Sequence, residues 1–138
     1  MIDLFVDNNA EIVVRVYVAK DKMENVVAAD TRAALMADNP IFTNSTEVEE
    51  YKFVFKQPSF KDSVDLSGDA FNYSIADGDV GFNIMAMRYA KMSKLIKSWD
   101  LKDSGGNAVP ANEENVSKLN PVIASVVSAQ LDLAIPSA

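Results

Sequence analysis

The longest regular pattern in the chain runs through residues 82–99, where Phe82, Met85, Tyr89, Met92, Leu95, Ile96 and Trp99 recur at spacings of three and four. That spacing predicts one amphipathic helix over residues 83–99 with a single apolar stripe. A different period governs residues 47–56: Tyr51, Phe53 and Phe55 alternate with Lys52, Val54 and Lys56, which predicts a strand ended by Gln57-Pro58. Residues 11–19 are rich in β-branched side chains and predict a second strand. Asp7-Asn8-Asn9 is turn chemistry, so residues 2–6 and 11–19 are expected to form a hairpin.

Between the two strands, Met23, Val26, Val27, Ala33, Ala34 and Ala37 fall at helical intervals, which predicts a helix over residues 22–38. Asp21 would be its N-cap, Asp30 a break and Asn39-Pro40 its stop. Residues 59–66 read as a short helical or irregular piece, and residues 67–81, with few periodic positions, as a long loop. Near the C-terminus, Asp103-Ser-Gly-Gly-Asn107 is a turn and Val109-Pro110 an extended link. Asn112-Glu-Glu-Asn115 starts a short helix, and Asn120-Pro121 starts a last one, with Val122, Ile123, Val126, Val127, Leu131 and Ile135 as its apolar face up to Pro136. The expected architecture is α+β in a single domain, 1–138. A small antiparallel sheet in a strand-rich half (1–66) packs against the long amphipathic helix, and a C-terminal helical unit completes the helical half (82–136).

Composition narrows the chemistry. Hydrophobic residues make up 49% and charged residues 24% of the 138, as in folded soluble domains. There is no Cys and no His, which removes thiolate nucleophiles, disulfides, zinc ribbons and the usual general base near neutral pH. No Ser, Thr or Tyr nucleophile can be nominated without such a base, so the chain is expected to be non-enzymatic. No catalytic, cofactor-binding or metal residue is assigned, and no cofactor is expected. Asp77-Gly78-Asp79 resembles the opening of a calcium loop, but the twelfth position counted from Asp77 is Arg88, where a bidentate Glu would be needed. A turn is the better reading, and Asp77 and Asp79 are the only local candidates for a carboxylate-dependent or metal-binding alternative.

The net charge of -7 is unevenly distributed: residues 1–81 hold 15 acids and 7 bases, residues 82–102 hold 1 acid and 5 bases, and the rest 4 acids and 1 base. An acidic first half beside a basic segment suits complementarity within or between subunits better than a polyphosphate, so nucleic acid is not an expected partner. A membrane is not expected either, since no apolar run nears the length of a span and the start of the chain carries no basic leader. Arg88, Lys91, Lys94 and Lys97 form a basic band on the predicted helix. With Trp99 they are the candidate interface, the band being either a solvated face or a salt-bridged one. For Trp99 the first expectation is a ring closing the core under the Gly105-Gly106 turn, its N–H reaching a carbonyl there, and the second is an anchor for a partner.

The stretch Leu95-Ile-Lys-Ser-Trp99-Asp, followed by the glycine turn, Val109-Pro110, Glu114-Asn115 and Leu119-Asn-Pro121, resembles the ending of small tailed-phage tail assembly chaperones and related tail-module proteins. Tyr51-Lys-Phe-Val-Phe-Lys-Gln-Pro58 is similar to their extended entry segment. The likeness covers about the last two thirds of the chain and consists of turn and cap positions, so it carries architecture and no functional residues. It implies a non-enzymatic phage protein of the tail or head–tail region, found in the virion or in the host cytoplasm during assembly. Its partners would be other phage structural proteins or copies of itself, in a homo- or hetero-oligomer. Residues 1–44 lie outside the likeness, which leaves a virion component and a transient chaperone both open. A different class is also open: a small intracellular adaptor or regulator that binds a partner helix through its C-terminal helices.

Overall fold

The structure, a computed structural model, describes residues 4–7, 9–76 and 84–135. Its centre is a four-stranded antiparallel sheet in the order β2-β1-β3-β4, built from β1 (Glu11–Lys20), β2 (Val26–Ala29), β3 (Glu49–Lys56) and β4 (Ile96–Trp99). Among the described residues five helices complete an α+β fold: α1 (Arg32–Asp38), α2 (Phe60–Ala76), α3 (Ile84–Leu95), α4 (Glu113–Val116) and α5 (Pro121–Ala134). Strands β1 and β3 pair along their length, with Ile12 opposite Phe55, Val14 opposite Phe53 and Val16 opposite Tyr51. Since side chains alternate, these six share one face. That face and the helices enclose the main core, where Val14, Val16, Phe53 and Phe55 join Leu66 and Ala70 of α2, Met87, Met92 and Leu95 of α3, Val116 of α4, and Val127 and Leu131 of α5. A smaller cluster of Ala19, Ala29 and Leu35 packs α1 on the β2 end of the sheet.

Four expectations are corrected. The partner of β1 in its hairpin is the downstream strand β2 and not the upstream segment: Leu4, Phe5 and Val6 are exposed and outside the sheet, and Met1–Asp3 lie outside the described residues. The helix expected over 22–38 is instead a turn, β2 and α1. Asp21 caps the turn, its Oδ1 accepting from the N–H groups of Met23 and Asn25 at 2.9 Å, while Thr31 is the N-cap of α1. The Val26-Val27 pair fits a strand as well as a helix, and pairing with β1 decides the outcome.

The third correction concerns the loop expected over 67–81, of which residues 67–76 belong to the 17-residue α2. Its start is a reciprocal cap: Ser59 Oγ accepts from the Asp62 N–H at 3.2 Å and Asp62 Oδ2 accepts from the Ser59 N–H at 3.0 Å. Residues 77–83, with the Asp77-Gly78-Asp79 motif and Phe82, lie outside the described residues. Finally, the helix expected to reach Trp99 ends at Leu95, and Ile96–Trp99 pair with β3 as strand β4. Residues three apart would fall on opposite faces of a regular strand, but the register shift between Val54 and Phe55 sets Ile96 opposite Phe55 and Trp99 opposite Phe53, so both meet the core side of the sheet.

The strand at 47–56, the glycine turn and both C-terminal helix starts are as expected. Gly106 takes φ +80 in the turn, where Asp103 Oδ1 accepts from the N–H groups of Gly105 and Asn107. Asn112 and Asn120 cap α4 and α5, with Pro121 in the first turn of α5.

Candidate interaction surface

The basic band is held by carboxylates of its own chain. Lys91 is buried, 3% exposed, and its Nζ donates to Asp132 Oδ1 at 2.9 Å and to the Ile135 carbonyl at 3.0 Å. Arg88 Nε donates to the other oxygen of Asp132 at 2.9 Å. One carboxylate on α5 thus receives two cations from α3, and Lys91 also meets a carbonyl at the C-terminal end of α5, where the helix dipole favours positive charge. Lys94 lies 3.5 Å from Asp65 of α2. Lys97 lies 3.2 Å from Glu11 of β1. The pairing of β4 skips Lys97, since Ser98 is opposite Val54 and Ile96 opposite Phe55. That bulge turns its side chain out of the regular alternation toward Glu11. All four band residues are therefore engaged by α2, α5 and β1.

Trp99 ends β4 opposite Phe53, and the two rings meet edge to face at 5.6 Å with an interplanar angle of 75°. Its Nε1–H donates to the Val109 carbonyl at 2.6 Å, fastening the extended link behind the glycine turn. The ring is half-buried at the margin of the main core. The carbonyl it reaches belongs to the Val109-Pro110 link and not to the turn itself.

Sequence reasoning missed a different surface. With α2 continuous, Phe60, Val64 and Phe71 fall at i, i+4 and i+11 on its outer side, 87%, 57% and 62% exposed, whereas Leu66 and Ala70 on the inner side are buried. Ser67 and Gly68 sit between Val64 and Phe71, and a Cβ added at Gly68 would meet nothing within 4 Å. The signal that could have found this stripe was the Ser59–Asp62 cap, which starts a helix in a segment otherwise poor in helix formers.

A groove of about 590 Å³ opens at the other end of the sheet, walled by Val18, Tyr51, Leu101 and Ile123, with Glu49 and Asn120 at its lining. The Tyr51 hydroxyl donates to Glu49 Oε2. That bond, with burial and the nearby charges of Glu49 and Asp100, pushes the phenol up to about 12. A phenol so held stays neutral and is a poor proton acceptor near neutral pH. Among the described residues no group of three or more Asp and Glu is placed to hold a metal ion.

The chain matches no protein-family model, no curated protein and no solved structure. No helix among the described residues is long and apolar enough to cross a membrane.

Proposed function

We propose that the chain is a non-enzymatic structural or assembly protein of a tailed phage, from the tail or head–tail region, and that it acts through protein–protein contacts. The observation that supports it is the outward apolar stripe of α2. Phe60, Val64 and Phe71 are exposed along one side of α2 on a chain whose basic band is already occupied by its own acids, and large apolar side chains grouped on an outer face in this way mark contact sites. The partner in this reading is another phage structural protein, met in the virion or in the host cytoplasm during assembly. Mass spectrometry of purified particles tests it: the chain present in mature virions supports a structural component, its absence with co-purification from assembly intermediates supports an assembly factor, and absence from both overturns the proposal.

The groove beside α5 favours a second reading, an adaptor that takes an apolar side chain of a partner helix between Tyr51, Leu101 and Ile123. Ile123→Glu would then abolish binding of a single host protein and leave particle assembly untouched.

A further inference from the structure

Among the described residues, the sheet has an edge that its own strands leave open. Strand β2 pairs with β1 only over residues 17–20, from Tyr17 opposite Ala29 to Lys20 opposite Val26, so β1 extends six residues beyond its neighbour. The parity of the hydrogen bonds fixes which groups are left. The Ala10 carbonyl accepts from the Gln57 N–H, so Ala10, Ile12, Val14 and Val16 aim their backbone at β3. Glu11, Val13 and Arg15 aim theirs the other way, off the edge. The Gln130 side chain confirms the direction, since its Nε2 donates to the Arg15 carbonyl from outside the sheet at 2.7 Å.

Those three residues read as a palindrome of charge, an acid and a base placed symmetrically about Val13. In an antiparallel pair of two β1 edges related by a two-fold axis through Val13, Val13 faces Val13 of the second copy, and each Glu11 faces an Arg15. Both residues lie on one face of the sheet, with side chains 49% and 55% exposed. Their present partners are Lys97 for Glu11, at 3.2 Å, and Glu50 for Arg15, at 3.1 Å. Exposed pairs of this kind contribute little, so exchanging or sharing them costs little. Val13 is half-exposed on the same strand and would be covered. The Asp7–Ala10 turn, closed by the Ala10 N–H on the Asp7 carbonyl, precedes the paired stretch, so the matched segment is confined to residues 11–15.

We infer that two copies of this chain associate through the free edge of β1, residues 11–15, as an antiparallel pair that continues the sheet from one copy into the other. Edge pairing supplies backbone hydrogen bonds, and the Glu11–Arg15 crossing fixes register and orientation. Gln130 would release the Arg15 carbonyl or share it. The inference deepens the proposed function by naming a partner and a surface, and it rests only on that reading's claim of protein–protein contacts.

Analytical ultracentrifugation of the full chain over a range of concentrations tests it. The wild type is expected to dimerise, and Glu11→Arg and Arg15→Glu are each expected to stay monomeric where the wild type is dimeric. Mixing the two variants in equal amounts should restore a dimer, because one chain then offers two bases and the other two acids. The Glu11→Arg/Arg15→Glu double variant should dimerise as the wild type does. Circular dichroism confirms that these exposed substitutions keep the fold. A wild type that is monomeric throughout overturns the pairing, as do single variants that dimerise like the wild type, or a mixture that stays monomeric. None of these results bears on whether the chain is found in phage particles, so failure of the edge pairing and failure of the phage reading are separately visible.

Discussion

Helix α3 turns Lys91 and half of Arg88 inward, whereas α2, packed beside it, turns two phenylalanines outward. Polarity alone would arrange them the other way. The difference lies in what each face can reach. On α3 the cations meet Asp132 and the end of α5, so burial leaves no charge unmatched, and breaking such a node is far costlier than never having built it. On α2 the inner side is filled by the small and medium residues Leu66 and Ala70, and the outer ring positions have no element of the described fold above them. A cation with a carboxylate within 3 Å is part of the fold, and a phenylalanine without a cover is surface.

Breaking the α3–α5 node should have the largest effect. Asp132→Ala removes the carboxylate from buried Lys91 and releases Arg88, and is expected to cost about 3–5 kcal/mol in denaturant unfolding. Next comes Trp99→Ala, which removes the edge-to-face contact with Phe53 and the bond to Val109. At this half-buried position a loss of about 3 kcal/mol is expected by the same measurement.

Ser59→Ala should cost about 1 kcal/mol by removing the cap that starts α2. The Ser59 N–H, chiefly, holds the Asp62 carboxyl below its ordinary range, with the Ser59 side chain and Lys56 adding to it against the opposing effect of burial. A carboxyl depressed in the folded state contributes stability above its unfolded value of about 3.9, and that contribution is lost as pH falls through the lower folded value. Melting curves of the wild type should accordingly show this part of the stability disappearing only below about pH 4, and Asp62→Asn should lack that acid-side loss. Smallest and opposite in sign, Glu24→Gly should stabilise by about 0.5–1 kcal/mol. Glu24 holds φ +63 in the β1–β2 turn, a region that costs a non-glycine residue, and its pair with Lys20 is exposed. Thermal melts of the two proteins check it.

These same regions explain what was legible in the sequence. β3 announced itself because alternation and a terminal proline are local signals, and the Asn112 and Asn120 starts and the Asp103–Asn107 turn are likewise made by residues that bond within their own few positions. β2 and β4 were not legible because each is four residues long: β2 exists only through its hairpin pairing with β1, and β4 through pairing with β3, more than forty residues earlier in the chain. α2 was legible in principle through Ser59 and Asp62, but its Ser, Gly and Asp content weakens every propensity signal after that cap. For the candidate site, Arg88, Lys91 and Lys94 fall on one helix as expected, whereas Lys97 lies on β4, and the acids that take all four up come from residues 11, 65 and 132, which no local pattern connects.

The contrast between the two helices is tested most directly by the denaturant midpoint of Phe60→Ser/Phe71→Ser. If the outer face of α2 is open surface, this loss of two large apolar side chains leaves the midpoint at the wild-type value, within the roughly 0.5 kcal/mol typical of surface changes. A midpoint that falls as far as that of Asp132→Ala would mean that the two rings are part of the core, and would contradict the account.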